Sequence, residues 1–254
     1  MNGDTSNPAL HFGREVQRAR LAVGMTLAEM GRVVGYHKSQ VSRVERGVRA
    51  PTKKFAQMCD LAFPQRAGWF LRFYEDSRQW SAMPPWFRNW IEHEQRAVNL
   101  RIWQPSSLSG LVQTESYALA QLRTFPGATA EQVRERLSAR MGRQAILTRE
   151  MPPAPMVWFL IDEAALRRRT GSPPIMADQL ERLLDLAELP NVTIQVVPDV
   201  AHAECTGGFA LAEAANGSAA YIETAVAGQV FEDSRVILEL SGRFDALSLD
   251  PPVQ

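Results

Sequence analysis

The chain has 254 residues, 45% of them hydrophobic and 22% charged, with a formal net charge of zero. These values give enough apolar mass for two folded units and exclude a disordered polymer. The longest strongly apolar run, Met156 to Ile161, is too short to cross a bilayer, so no membrane partner is expected.

In chain order, helical periodicity begins at Leu10, where Leu10, Val16 and Leu21 mark an apolar stripe among Arg14, Arg18 and Arg20. Gly24 stops that helix. Thr26 stands at an N-cap position with Glu29 three residues on, the spacing of a capping box. The helix it opens runs to Val34, with Leu27, Met30 and Val34 inward, and Gly35 closes it through a left-handed turn. A further short helix falls between Tyr36 and Gly47. Its Val41 and Val44 lie three apart and face inward, whereas Lys38, Ser39, Gln40 and Arg43 have no core role. Polar and basic side chains at the start of a short helix suit the base edges of a major groove. After Arg49 and Pro51, another helix turns Phe55, Met58, Leu61 and Ala62 inward. An amphipathic helix from about Arg66 to Trp80 closes the bundle.

Charge divides the chain in the same place. Residues 1–80 carry 13 Lys and Arg against 7 Asp and Glu, a balance of +6, and the remaining residues carry the opposite balance, −6. A basic module joined to an acidic one fits a DNA-facing domain attached to a domain that phosphate would repel. Cys59 and Cys205 have no zinc or disulfide spacing, and Met1 to Pro8 lacks the apolar core of a signal peptide, which together point to the cytoplasm.

Leu27-Ala28, then Ser39, Val41, Ser42, Val44, Glu45, Gly47 and Pro51, resemble the Xre/Cro-type helix-turn-helix family. The resemblance implies a five-helix DNA-binding domain over residues 1–82, with the third helix as recognition helix. It implies that His37, Lys38, Ser39, Gln40 and Arg43 read bases or backbone, and that Ser42 and Arg46 touch phosphate. Many members place Gln at the start of the second helix to hold a phosphate; here Thr26 and Leu27 stand there, and Thr26 takes that role. Glu45 is expected to be structural, pairing with an arginine such as Arg14 or Arg49.

Pro84-Pro85 interrupts the helical run. Beyond it, a helix is expected from about Trp86 to Ala97, with Trp86, Phe87, Trp90 and Ile91 on its apolar side, and a strand from Asn99 to Trp103. Thr114 caps a helix to about Arg123, and Thr129 opens one to about Arg149. Met156 to Ile161 reads as a buried strand, followed by a short helix that Asp162 caps. Pro173-Pro174 opens a helix carrying Met176, Leu180, Leu183, Leu184 and Leu186. Strands follow at Val192 to Val197, Phe209 to Glu213, Ala219 to Glu223 and Gln229 to Phe231, then a helix from about Asp233 to Leu247. Helices and strands mix without regular alternation, so the class is α+β, with an all-α N-terminal domain and a mixed domain over residues 83–254.

The strings Pro105-x4-Gly110-Leu111-x-Gln113-Thr114-x-x-Tyr117, Arg140-x-x-Arg143-Gln144, Asp162 to Arg167, and Val192-x-Ile194-Gln195-Val196-Val197-Pro198 are similar to the C-terminal domain of an actinobacterial, WhiJ-like group of Xre regulators described as antitoxin-like. Ser109 departs from that group, which usually has Pro there. The resemblance implies a regulator that binds a small co-encoded protein. Gln113, Thr114 and Tyr117 are the candidates for lining that interface or a ligand pocket, with capping by Thr114 as the structural alternative.

Other candidates read as architecture. His202-x-x-Cys205 lacks a second ligand pair for a metal, His93-Glu94 reads as a helix surface, and Thr206-Gly207-Gly208 as a strand-entry turn. Asp162-Glu163 suits the positive start of a helix and Arg167-Arg168-Arg169 its negative end. No nucleophile–base constellation has supporting context, so neither catalysis, a metal nor a cofactor is expected. The expected protein is a homodimeric regulator on a palindromic operator in double-stranded DNA; the alternative is a regulator that senses a small molecule.

Overall fold

A computed structural model describes residues 8–66, 68–83, 85–198, 205, 207–224 and 227–249. The chain divides into two compact units, residues 1–81 and 82–254.

In the first unit the described residues form five α-helices: α1 (Pro8–Ala22), α2 (Leu27–Val34), α3 (Lys38–Glu45), α4 (Lys53–Ala62) and α5 (Trp69–Ala82). Their core gathers Phe12, Val16, Met30, Val34, Val41, Val44, Phe55, Cys59, Phe63 and Phe70. On α1 the buried stripe is Phe12, Val16 and Ala19, spaced four and three apart, and Leu21 is 61% exposed. Five residues beyond Val16 is about 140° round the helix, which turns Leu21 to solvent. The same phase argument corrects Leu61, 74% exposed, because Phe55, Ala56 and Cys59 form the inward face of α4. Between α1 and α3 the backbones nearly touch: a Cβ on Gly13 would stand 2.1 Å from the carbonyl oxygen of Val44. The two helices therefore meet at a position only glycine can occupy.

Among the described residues the second unit holds a six-stranded mixed sheet in the order β3-β2-β1-β4-β5-β6. The strands are β1 (Asn99–Gln104), β2 (Met156–Asp162), β3 (Val192–Val197), β4 (Phe209–Ala214), β5 (Gly217–Glu223) and β6 (Gly228–Phe231). β1, β2 and β3 are parallel neighbours, and β4, β5 and β6 add antiparallel pairs. The helices are α6 (Pro85–Arg96), α7 (Glu115–Leu122), α8 (Ala130–Arg143), α9 (Glu163–Arg167), α10 (Pro173–Ala187) and α11 (Ser234–Leu249). One cluster packs Leu100, Ile102, Val157, Phe159 and Ile161 with Trp90, Tyr117, Leu183 and Leu186. A second packs Trp103, Leu160, Leu211 and Ala220 with Leu240, Phe244 and Leu247 of α11. β2 is thus buried on both faces from Phe159 onward, which is why its sequence is continuously apolar. Its first residues are less covered: Met156 is 54% and Trp158 36% exposed.

Three expectations shift. The helix opened by Thr129 ends at Arg143 and tightens into a 3-10 turn, Gln144–Leu147, where the Gln144 side chain donates to the carbonyls of Gly110 and Gln113. On α10 the inward stripe is Gln179, Leu183 and Leu186, leaving Leu180 and Leu184 exposed. Of the expected apolar side of α6, Trp90 and Ile91 are buried, Phe87 half-buried and Trp86 exposed.

Candidate nucleic-acid interface

Two helices and a tight turn set the geometry. α2 begins at Thr26, whose Oγ1 accepts the Glu29 amide at 3.2 Å while the Glu29 carboxylate accepts from the Thr26 amide and hydroxyl at 2.7 and 2.8 Å. These bonds, the backbone one first, hold the Glu29 carboxyl below its ordinary range. α2 ends at Gly35 with φ 74°, a left-handed value that frees the chain to turn sharply. Two residues later His37 caps α3. Its Nδ1 accepts the Ser39 amide at 3.3 Å and lies 2.8 Å from the Ser39 hydroxyl, while Gln40 Oε1 accepts the His37 amide at 3.1 Å. An Nδ1 that accepts assigns the proton of a neutral ring to Nε2.

α3 is sealed on one side and open on the other. Val41, Val44 and Glu45 are buried; Lys38, Ser39, Arg43 and Arg46 are exposed, with Gln40 and Ser42 half-buried. Ser39, Arg43 and Arg46 follow i, i+4, i+7 spacing and so share a helix face. The Arg46 Nε folds back onto the Ser42 carbonyl at 3.3 Å. Tyr36 ties the turn to α4, its hydroxyl 2.9 Å from the Thr52 Oγ1 that caps that helix.

The partner of Glu45 is Arg20, not Arg14 or Arg49. The pair is buried and bidentate, and Arg20 Nη1 also donates to the Met25 carbonyl at 2.7 Å. One guanidinium thus joins α1, the turn before α2 and the end of α3. Its bond to Glu45, opposed by burial, raises the Arg20 pKa further. Arg49, between α3 and α4, and Lys54, in the first turn of α4, are exposed cations on the same stretch of chain.

In the second unit, Gln113, Thr114 and Tyr117 come together, but inward. Gln113 and Tyr117 are 2% and 1% exposed. Gln113 Nε2 donates to the Leu108 carbonyl, and its Oε1 accepts from Arg140 Nη1, both at 2.8 Å. The Thr114 amide donates to Gln179 Oε1 at 2.8 Å, and its hydroxyl oxygen accepts the Tyr117 amide as the cap of α7. These residues brace a loop, so a partner at the surface would not meet the side chains of Gln113 or Tyr117. Glu94 is also corrected: it is 1% exposed, inside the fold rather than on a helix surface.

Asp162 caps α9 through the Ala164 amide at 2.7 Å. His202 and Thr206 lie outside the described residues, and among those described no group of three or more His, Cys, Asp or Glu is placed to hold a metal. Among the same residues no helix is long and apolar enough to cross a membrane.

Two protein families match this chain. A helix-turn-helix domain covers residues 11–62, the stretch that holds α2, the Gly35 turn and α3. A domain of unknown function, DUF5753, covers residues 87–250, nearly all of the second unit. No curated protein and no solved structure matches the chain.

Proposed function

Since this chain belongs to the DUF5753 family and carries a helix-turn-helix domain ahead of it, we propose that it is a sequence-specific transcriptional regulator reading duplex DNA through α3. The helix-turn-helix domain makes it a DNA-binding regulator. The observation that carries the finer reading is the two-sidedness of α3. Its apolar residues lie in the core, while Lys38 and Arg43 are exposed, with no side-chain hydrogen bond or ion pair among the described residues.

In this reading His37, Lys38, Ser39, Gln40 and Arg43 address base edges or backbone at the start of the groove, and Ser42 and Arg46 address phosphate. Thr26 would take a phosphate at the first turn of α2 by exchanging the Glu29 carboxylate, which its amide and hydroxyl hold in the free protein, for a phosphate oxygen. A homodimer would set two copies of α3 about 34 Å apart, one turn of duplex, on a palindromic operator. The acidic balance of the residues after 80 disfavours phosphate contact by the second unit, which suits an antitoxin-like regulator controlled through a small, co-encoded protein partner bound there.

The test is a fluorescence-anisotropy titration of a duplex from the chain's own promoter region against a scrambled duplex of equal length. Preference for the promoter duplex, narrowed by Arg43→Ala, is expected. Equal affinity for both duplexes would remove sequence-specific reading, and an Arg43→Ala variant with unchanged preference would remove Arg43 as a reader.

A further inference from the structure

The Arg140-x-x-Arg143-Gln144 string has a place in the fold that DNA binding does not use. Among the described residues, three buried side-chain polar atoms make no hydrogen bond: Glu94 Oε1 on α6, Arg143 Nε on α8 and Tyr221 OH on β5. All three belong to one neighbourhood. Trp90 stacks on the Tyr221 ring at 5.5 Å and gives its indole N–H to Glu94 Oε2 at 3.2 Å. Phe87 packs edge-on to Tyr221, and the Arg143 guanidinium lies over the Phe87 ring at 4.8 Å. Arg143 Nε stands 3.2 Å from Glu94 Oε1, close enough for charge pairing but not aligned for a hydrogen bond. Two of the three atoms thus face each other as an ion pair without a hydrogen bond, and the Tyr221 hydroxyl faces no polar partner among the described residues; a buried polar atom left in that state is rare and costly.

Arg140, one turn before Arg143, adds a second guanidinium. Among the described residues its Nη1 alone is hydrogen-bonded, by the neutral amide oxygens of Gln113 and Gln121 at 2.8 and 2.7 Å. Burial first, and then the charge of Arg143, lower its pKa to about 10, so the fold holds the Arg140 charge at a cost. Around them stand Arg136 and Arg149, also cationic, against two carboxylates, the buried Glu94 and the exposed Glu223. Burial raises the Glu94 pKa despite Arg143, which weakens the counter-charge that this buried carboxylate supplies. A positive, donor-rich spot thus sits inside a unit whose overall balance is acidic. Gly110 walls it on one side, where a Cβ would come within 3.2 Å of Arg143 Nη2. Gly228 walls it on another, where a Cβ would come within 2.2 Å of the Tyr221 hydroxyl.

We infer that Arg140, Arg143 and Tyr221 form a site for the carboxylate or phosphate group of a small molecule. Such an oxyanion brings what the cluster lacks: acceptor oxygens for guanidinium N–H and phenol O–H groups, and negative charge between two arginines. A purely architectural cluster would have no use for the Tyr221 hydroxyl, which a phenylalanine would replace without loss of a hydrogen bond. The site is remote in role from α3, and its test does not depend on DNA binding.

The experiment measures the melting temperature and calorimetric binding of the full chain with inorganic phosphate and with succinate in separate arms, at ionic strength matched with sodium chloride. A melting temperature raised by several degrees over the chloride control is expected from at least one of them. Phosphate alone identifies a phosphate group, succinate alone a carboxylate, and both a site for oxyanions in general. Arg143→Gln should abolish the response, and Tyr221→Phe should weaken binding about tenfold, the scale of one charge-assisted hydrogen bond, while leaving the unliganded melting temperature equal or higher. Because Tyr221→Phe breaks no hydrogen bond, it remains informative if Arg143→Gln does not fold. No response to either anion beyond chloride, or a wild-type response from Tyr221→Phe, would overturn the site.

Discussion

Arg20 and Glu45, 25 positions apart in sequence, face each other inside the first unit, with Nε to Oε1 at 2.6 Å and Nη2 to Oε2 at 2.9 Å. Their side chains are 8% and 4% exposed, so neither charge has water as an alternative partner. Removing one partner strands the other. Glu45→Ala is expected to cost about 3–5 kcal/mol in urea unfolding. Replacing both, as Arg20→Met with Glu45→Leu, should recover most of that loss, because no charge is then left buried. A double variant no more stable than Glu45→Ala would show that the pair does more than neutralise itself.

Gly13→Ala places a methyl group against the carbonyl oxygens of Val44 and Glu45, at 2.1 and 2.6 Å. Both are backbone atoms at the end of α3 and cannot swing aside. A stability loss of about 1–3 kcal/mol is expected, with DNA affinity falling alongside it because α3 is pushed from its seat. Chemical denaturation and anisotropy on the same preparation check both effects.

Arg46→Ala tests the division between positioning and reading. A phosphate contact carries no sequence information, so affinity for promoter and scrambled duplexes should fall together. The slope of log K against log salt should drop by about one. A selective loss on the promoter duplex would instead place Arg46 among the base readers.

Gln179 is wholly buried and spends its amide on two backbone groups, the Thr114 N–H at 2.8 Å and the Val112 carbonyl at 2.9 Å. Gln179→Ala orphans both and should cost about 1–3 kcal/mol for each buried group that water does not reach. Hydrogen exchange at the Thr114 amide should quicken well before the sheet amides change.

Glu94 gives a pH dependence with a defined sign. Its folded pKa is raised, by burial first, above the 4.5 of an ordinary glutamate. The folded state then binds more protons than the unfolded one, and this contribution is fully present below about pH 4.5 and lost as pH rises through the raised value. Stability followed from pH 4 upward should decline from this source, and Glu94→Gln should flatten that decline. An unchanged profile in the variant would assign it to other groups.

What the residues announced in advance was local. The capping box of Thr26 and Glu29, the left-handed turn at Gly35 and the caps at Thr114, Thr129 and Asp162 each involve neighbours within three residues, and sequence spacing describes them well. The strands were also legible, since apolar runs bounded by turns mark them directly. Partners chosen in three dimensions were not. Nothing near Glu45 points to Arg20 rather than Arg14, because which arginine of α1 turns inward depends on a helix phase set by Phe12 and Val16. Leu21, Leu61 and Leu184 misled for that reason: hydrophobic identity was read where angular position decides. Gln113 and Tyr117 looked available because they stand where a loop meets a helix, and only the α8 and α10 side chains packed over that loop put them inside.

The tautomer that caps α3 limits what the outward edge of His37 can recognise. With Nδ1 occupied by the Ser39 amide, a neutral ring presents a donor alone. It complements lone pairs, such as guanine N7 and O6, adenine N7, thymine O4 or a phosphate oxygen, and it is mismatched to the exocyclic amine of cytosine. In the proposed reading, a fold requirement at the N-cap of one short helix thereby narrows the set of base pairs that suit that position before any nucleic acid arrives.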